Sequence, residues 1–209
     1  KTYAFGNSKM TVDEATCKDE GFYGYKEVSH AEQFMAMKAG GLYVLVADIV
    51  LPTSYKAIDF GAEWYQAELN GNGYTVSNFT VSGTDCVGLF GYAEMATIMN
   101  LGVINATMTG WNAGAICGFA PTATIINCYA IGCNITGNTT NPIAINSEAV
   151  HVGAIAGSNA GTVKNCYAVN CTLSIKFVGQ FNSMSPLGGV ICSNNYYSNV
   201  SGTFTNTAG

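Results

Sequence analysis

Residues 87–110 read VGLFGYAEMATIMNLGVINATMTG, residues 113–137 read AGAICGFAPTATIINCYAIGCNITG and residues 152–175 read VGAIAGSNAGTVKNCYAVNCTLSI. One pattern is thus written three times: a Gly-flanked apolar step, a turn, a Thr-Ile or Thr-Val strand entry, an Asn two positions later, and a Thr-rich second strand. A degraded fourth copy begins at Leu187. Asn100, Asn127 and Asn165 lie 27 and 38 residues apart, and the longer gap holds an insertion at 138–148. A period in the twenties built from short β-branched segments fits one coil of a β-solenoid and lacks the Leu spacing of leucine-rich repeats. Helical repeats are disfavoured by the density of Gly, Asn and Thr. The expected fold is all-β: a right-handed, single-stranded parallel β-helix whose coils stack at about 4.8 Å. Asn100, Asn127 and Asn165 are expected in register, each bonding its neighbours above and below at a bend.

Charge divides the chain unevenly. Residues 1–68 hold six of the eight lysines and ten of the thirteen acids, and from Leu69 onward only Asp85, Glu94, Glu148, Lys164 and Lys176 are charged. The expected organisation is therefore an N-terminal cap with first strands at 1–68 and repeat coils at 69–209, forming one continuous unit. There is no arginine and the net charge is −5, so no clustered basic patch is available for nucleic acid or an anionic membrane surface. The most apolar stretch, 42–51, is interrupted by Asp48 and is too short for the roughly 20 residues of a bilayer span. Nothing at the start reads as an export signal, so the expected location, secreted or on a cell surface, implies a signal removed or lying outside this chain.

The N-terminal part follows another pattern. Ser29 and Glu32 have the spacing of a capping box, which predicts a short amphipathic helix over 31–38 ending before Gly40 and Gly41. Residues 42–51 are expected as a strand. A solenoid's first coil exposes an open apolar end, and this capping segment with its short helix is the expected cover.

Specific residues carry a resemblance. The run from Leu69 through Asn70, Gly71, Asn72, Gly73 and Tyr74 to Val81, then Gly88-Leu89-Phe90-Gly91 and Ile98-Met99-Asn100-Leu101-Gly102, resembles the GLUG-repeat family. Gly41-Leu42-Tyr43-Val44-Leu45, with Asp48-Ile49, is similar to the entry that precedes such repeats. The resemblance covers roughly 29–200. It implies a β-helix exported by a bacterium, as one segment of a larger surface protein such as an adhesin, a haemagglutinin-like protein or the N-terminal region of an immunoglobulin A peptidase. It implies no chemistry. The later copies replace GLFG by Gly114-Ala115-Ile116-Cys117-Gly118 and Gly153-Ala154-Ile155-Ala156-Gly157, one residue longer, which leaves the turn geometry there open.

Candidate chemistry is sparse. Glycoside hydrolysis needs two carboxylates within about 5–10 Å, and the repeats offer only Asp85, Glu94 and Glu148, the first two beside Gly-rich turns. Lyase chemistry lacks basic groups beyond Lys164 and Lys176. His30 and His151 have no metal-ligand spacing and are expected at the surface. The eight cysteines (Cys17, Cys86, Cys117, Cys128, Cys133, Cys166, Cys171 and Cys192) contain no CxxC pair. Cys128 matches Cys166 and Cys133 matches Cys171, so stacked, free, buried thiols are expected: ladder spacing exceeds the roughly 3.8 Å that a relaxed disulfide prefers between Cβ atoms. Asn-x-Ser/Thr triplets at Asn78, Asn105, Asn134, Asn138, Asn170 and Asn199 are expected by chance in an Asn- and Thr-rich bacterial chain. Sugar faces stack on aromatic rings, which makes Trp111, Tyr129, Tyr167, Tyr196 and Tyr197 candidate ligand-binding residues, with Trp64 and Tyr65 as further aromatics; core packing explains each as readily. No catalytic residue, metal site or cofactor is expected. The sequence points to a non-catalytic structural or adhesive segment with a host protein or glycan as partner. Its rivals are a carbohydrate-binding module and, more remotely, a polysaccharide lyase or hydrolase.

Overall fold

The computed structural model describes residues 2–5, 8–11, 24–60, 66–138, 150–177, 182–185, 191–193, 196–198 and 201–206. Thr2–Phe5 and Ser8–Thr11 form an antiparallel hairpin. All other strand pairings among the described residues are parallel. One coil shows the plan: Phe90–Ala93, Ala96–Met99, Gly102–Ile104, Thr107–Gly110 and Asn112–Gly114 follow one another around the coil, and we number the faces they occupy 1 to 5. Faces 1 to 5 stack four, seven, six, five and three strands respectively. The chain is a parallel β-helix.

The repeated segments lie one above another in the expected register. On face 2, Thr97, Ile98 and Met99 oppose Thr124, Ile125 and Ile126, which oppose Thr162, Val163 and Lys164. The degraded fourth copy supplies Ile191–Ser193, Tyr196–Ser198 and Ser201–Asn206 to faces 2, 3 and 4. The extra residue of the later copies is absorbed at one corner. Val87 bridges Ala113 while Phe90 pairs with Cys117, so three steps of one coil match four of the next. There the amides of Ile116 and Cys117 both donate to the carbonyl of Ile155, at 2.9 and 3.3 Å.

Sides of three or four residues leave room for one or two inward side chains each, because successive residues of a strand point to opposite faces. Leu69, Ile98, Ile125 and Val163 form such a column on face 2, and Val76, Val103, Ala130 and Ala168 form another on face 3; all are buried. At two corners of each repeat coil the chain turns through a single left-handed residue. Asn100, Asn127 and Asn165 have φ of 55°, 54° and 53° at the corner from face 2 to face 3. Asparagine tolerates that region better than other side chains with a Cβ. Its carboxamide does a second job here: Asn165 Nδ2 donates to Asn127 Oδ1 (3.1 Å), Asn127 to Asn100 (3.1 Å), and Asn100 to Asn70 (3.0 Å). The next corner uses Asn78, Asn105, Gly132 and Asn170, with φ from 52° to 65°. Asn105 Oδ1 lies 2.5 Å from where a Cβ on Gly132 would stand, so a side chain in that rung would have to displace this carboxamide. Three of the Asn-x-Thr triplets, at Asn78, Asn105 and Asn170, are therefore corner residues followed by a buried residue and an outward threonine.

The core changes along its length. Near the N-terminal end the rings of Phe34, Phe60 and Phe90 meet, Phe60 and Phe90 stacked at 4.7 Å and Phe34 and Phe90 at 6.1 Å. Later coils fill the interior with Ala154, Ala156, Ala168, Cys166 and Cys171. The helix is shorter than expected, Ala31–Met35, and turns Phe34 into this core. His30, not Ser29, is its N-cap, and it makes no side-chain capping bond. Gln33 Oε1 instead accepts from the Ser29 amide (2.8 Å) and hydroxyl (3.1 Å), leaving Glu32 exposed. Residues 42–51 are also two strands, not one: Leu42–Leu45 on face 2 and Ile49–Val50 on face 3. A coil side is too short for ten residues, and Asp48 anchors the bend by accepting from the Thr75 amide (2.8 Å) and hydroxyl (2.9 Å).

Replacing Asn127 separates its two roles. Asn127→Ala loses both the left-handed tolerance and two ladder bonds, for about 2–4 kcal/mol. Asn127→Gly keeps the backbone conformation and should recover about half of that. Urea denaturation of the two variants checks the order.

Candidate functional site

Residues that do not point inward build the outer surface, and each face carries its own chemistry. Face 4 presents two columns in register: Thr80, Thr107, Asn134 and Thr172, and beside them Ser82, Thr109, Thr136 and Ser174. None is buried, and Thr136 Oγ1 and Ser174 Oγ share a hydrogen bond of 2.9 Å. Trp111 follows this face at the corner after Thr107–Gly110, half-buried against the core, its indole nitrogen without a partner.

Face 2 holds a groove of about 310 Å³. Glu68, Thr97 and Thr124 are consecutive rungs of one column along it, and Gln66, Met95 and Thr122 border it at the preceding corner. Leu42 and Ala96 complete its apolar part. Met95 has φ of 51°, its amide donates to Thr122 Oγ1 at 2.9 Å, and its side chain is 42% exposed. The Tyr25 hydroxyl donates to Oε1 of Glu68, and burial followed by that carboxylate pushes the Tyr25 pKa up. Neither Glu68 nor the threonines stood out in the sequence. The available signal was their column, offset by 29 and 27 residues, which becomes visible only once the coil register is known.

The aromatic candidates do not form one patch. Tyr129 and Tyr167 stack on face 3 with centroids 4.9 Å apart and planes within 6°. The Tyr129 ring leans over Gly102, where an added Cβ would lie 2.3 Å from its Cζ. Both flat sides of Tyr129 and one of Tyr167 are thus turned to protein. Burial raises the Tyr129 pKa. Tyr196 is registered opposite Tyr167, and Tyr197 opposite Ala168. Trp111 stands on another part of the coil, and Trp64 and Tyr65 lie outside the described residues.

Asp85 precedes the corner that leads into Phe90–Ala93, and Glu94 directly follows that strand. Asp85 accepts from the Cys86 amide (2.9 Å) and Glu94 from the Tyr92 hydroxyl (2.9 Å). Glu148 lies outside the described residues. Lys164 is exposed on face 2, and Lys176 is registered opposite Asn138 on face 4. His30 is exposed beside Glu32 at 4.0 Å. His151, expected at the surface, is half-buried on face 5 between Asn112 and Ser183, and burial lowers its pKa. No group of three or more metal-ligating side chains occurs among the described residues.

Cys128, Cys133, Cys166 and Cys171 are free and buried, as expected from the ladder. They follow the corners closely, and their thiols reach corner carbonyls: Cys128 to Ile126 at 3.3 Å and Cys166 to Lys164 at 3.3 Å. Burial pushes the Cys128 thiol well above its usual range and the half-buried Cys86 up to about 12. Cys128 and Cys86 are therefore poor nucleophiles, since the thiolate is the reactive form, whereas the hydrogen bond with Cys128 lowers the Cys166 thiol and that with Cys133 brings Cys171 down to about 7. Cys17 lies outside the described residues.

No family model matches the chain, and no curated protein matches it. Among solved structures, the chain is similar to a Bacteroides ovatus protein described as a "putative immunoglobulin A1 protease". The identity is 17%, the match covers 88% of this chain and 78% of that one, and the TM-score is 0.43.

Two measurements follow. Gly102→Ala should displace a movable ring and cost under about 1 kcal/mol while changing the near-ultraviolet circular dichroism of the tyrosine pair; Gly118→Ala, whose Cβ would lie 2.4 Å from the Val87 backbone nitrogen, should cost several times more. For His151 the folded chain favours the neutral ring, so its contribution to stability is complete above the ordinary pKa of 6.5 and is lost as pH falls below it. The melting temperature should therefore fall between about pH 7.5 and 5.5, and less steeply in His151→Gln.

Proposed function

We propose that this chain is a non-catalytic adhesive segment of an exported bacterial surface protein of the GLUG-repeat type, engaging a neutral glycan through its outer faces. The observation that carries this reading is face 4. Its two registered columns contain hydroxyls and one amide and no charged side chain. Such groups both donate and accept, which suits a hydroxyl-rich partner. Asp85 and Glu94 are each engaged by a neighbouring residue, the Cys86 amide and the Tyr92 hydroxyl, which favours binding over hydrolysis, as acid-base catalysis needs two positioned carboxylates. The Gly88-Leu89-Phe90-Gly91 and Ile98-Met99-Asn100-Leu101-Gly102 motifs support the family assignment and, with it, a place at the cell surface.

A glycan array probed with the purified chain is expected to show binding to neutral glycans. The same glycans incubated with the chain should release no reducing sugar or unsaturated uronide. Release that disappears in Asp85→Asn or Glu94→Gln would overturn the non-catalytic reading, and an array without any bound glycan would overturn the adhesive one.

A further inference from the structure

The geometry points to the groove on face 2 as a seat for a single pyranose ring at the end of a neutral glycan, with Glu68 as its anchoring acceptor. The inference rests on the glycan-binding reading and names the place and the sugar class.

Size is the first constraint. At about 310 Å³ the groove lies at the small end of the range for ligand pockets, enough for one sugar ring but not for an enclosed disaccharide.

Chemistry is the second. An ionised carboxylate only accepts hydrogen bonds, whereas a hydroxyl does both. The column Glu68, Thr97 and Thr124 therefore sets one strong acceptor beside two adaptable groups, at rung intervals of about 4.8 Å. Neighbouring hydroxyls of a pyranose donate well to a carboxylate, and charge-assisted bonds of this type are the stronger kind. Gln66 adds an amide at the border, while Leu42 and Met95 offer apolar surface to the C–H side of a ring. The Tyr25 hydroxyl holds Glu68 from one oxygen, which restricts the carboxylate before any ligand arrives.

Charge is the third. None of the residues lining the groove is basic. A uronic or sialic acid would bring its own carboxylate toward Glu68 without a counter-charge, a juxtaposition that costs affinity. The groove thus selects neutral and N-acetylated hexoses over acidic ones.

The test uses saturation-transfer difference NMR and titration of the whole chain with methyl glycosides of glucose, mannose, N-acetylglucosamine and glucuronic acid. At least one neutral glycoside should bind, and the glucuronide at least tenfold more weakly. Glu68→Gln should weaken the neutral sugar about tenfold, the weight of one charge-assisted bond. Thr124→Val, close in shape and with little effect on the column's backbone, should weaken it severalfold. Melting curves establish that both variants fold, and Val50→Ala, at an exposed position of face 3, should leave binding unchanged. Equal binding of the glucuronide, or neutral-sugar binding untouched by both groove variants, would overturn the seat while leaving the glycan reading in place. Preference for a primary amine such as N-acetyl-lysine amide over every sugar would also overturn it. Absence of binding to any glycoside, together with a blank array, would remove both readings.

Discussion

A single left-handed residue, asparagine in most rungs, at two corners of each repeat coil is the constraint on which the rest of this structure depends. With φ near +55° at Asn100, Asn127 and Asn165, the chain changes direction in one residue and the sides can be three or four residues long. The carboxamides then bond along the axis, from Asn165 back to Asn70. Slipping one coil by a residue would break this ladder and at the same time turn every inward side chain outward. Corner geometry and hydrophobic register therefore reinforce each other.

Short sides limit what the interior can hold. At the N-terminal end Phe34, Phe60 and Phe90 fill the cross-section, and the helix contributes one of these rings from outside the ladder of strands. Farther along, alanine and cysteine take over. The paired cysteines suit the inner side of a corner because they are small and apolar and carry a weak donor that reaches a corner carbonyl. Their even number and export-like context could suggest a disulfide framework, but the stacked coils hold Cys128 against Cys166 and Cys133 against Cys171 as hydrogen-bonded thiols without a disulfide.

The exterior obeys fewer constraints, and that is where binding chemistry can accumulate. Face 4 is hydroxyl-rich across successive coils, and face 2 places a carboxylate from one coil beside threonines from the next two. A groove of this kind belongs to no repeat. It arises where the charge-rich N-terminal coil adjoins the sparsely charged ones. Face 3 shows the opposite case: Tyr129 and Tyr167, attractive as binding residues by type, cover each other and Gly102.

The sequence by itself determined the coil, the rung and the corner. Residues 87–110, 113–137 and 152–175 share a period, and Asn100, Asn127 and Asn165 share a place in it, because backbone turning and one-in, one-out alternation are local requirements that every copy must meet. The extent of the helix and the break in 42–51 escaped a local reading, since the length of a coil side is set by the coils already stacked beside it. Only the tertiary structure decided which outward residues meet. Glu68, Thr97 and Thr124 become neighbours through register alone, and Tyr129 loses both open faces the same way. A parallel coil brings together residues one turn apart, so no local pattern in the sequence marks which outward side chains will share a column.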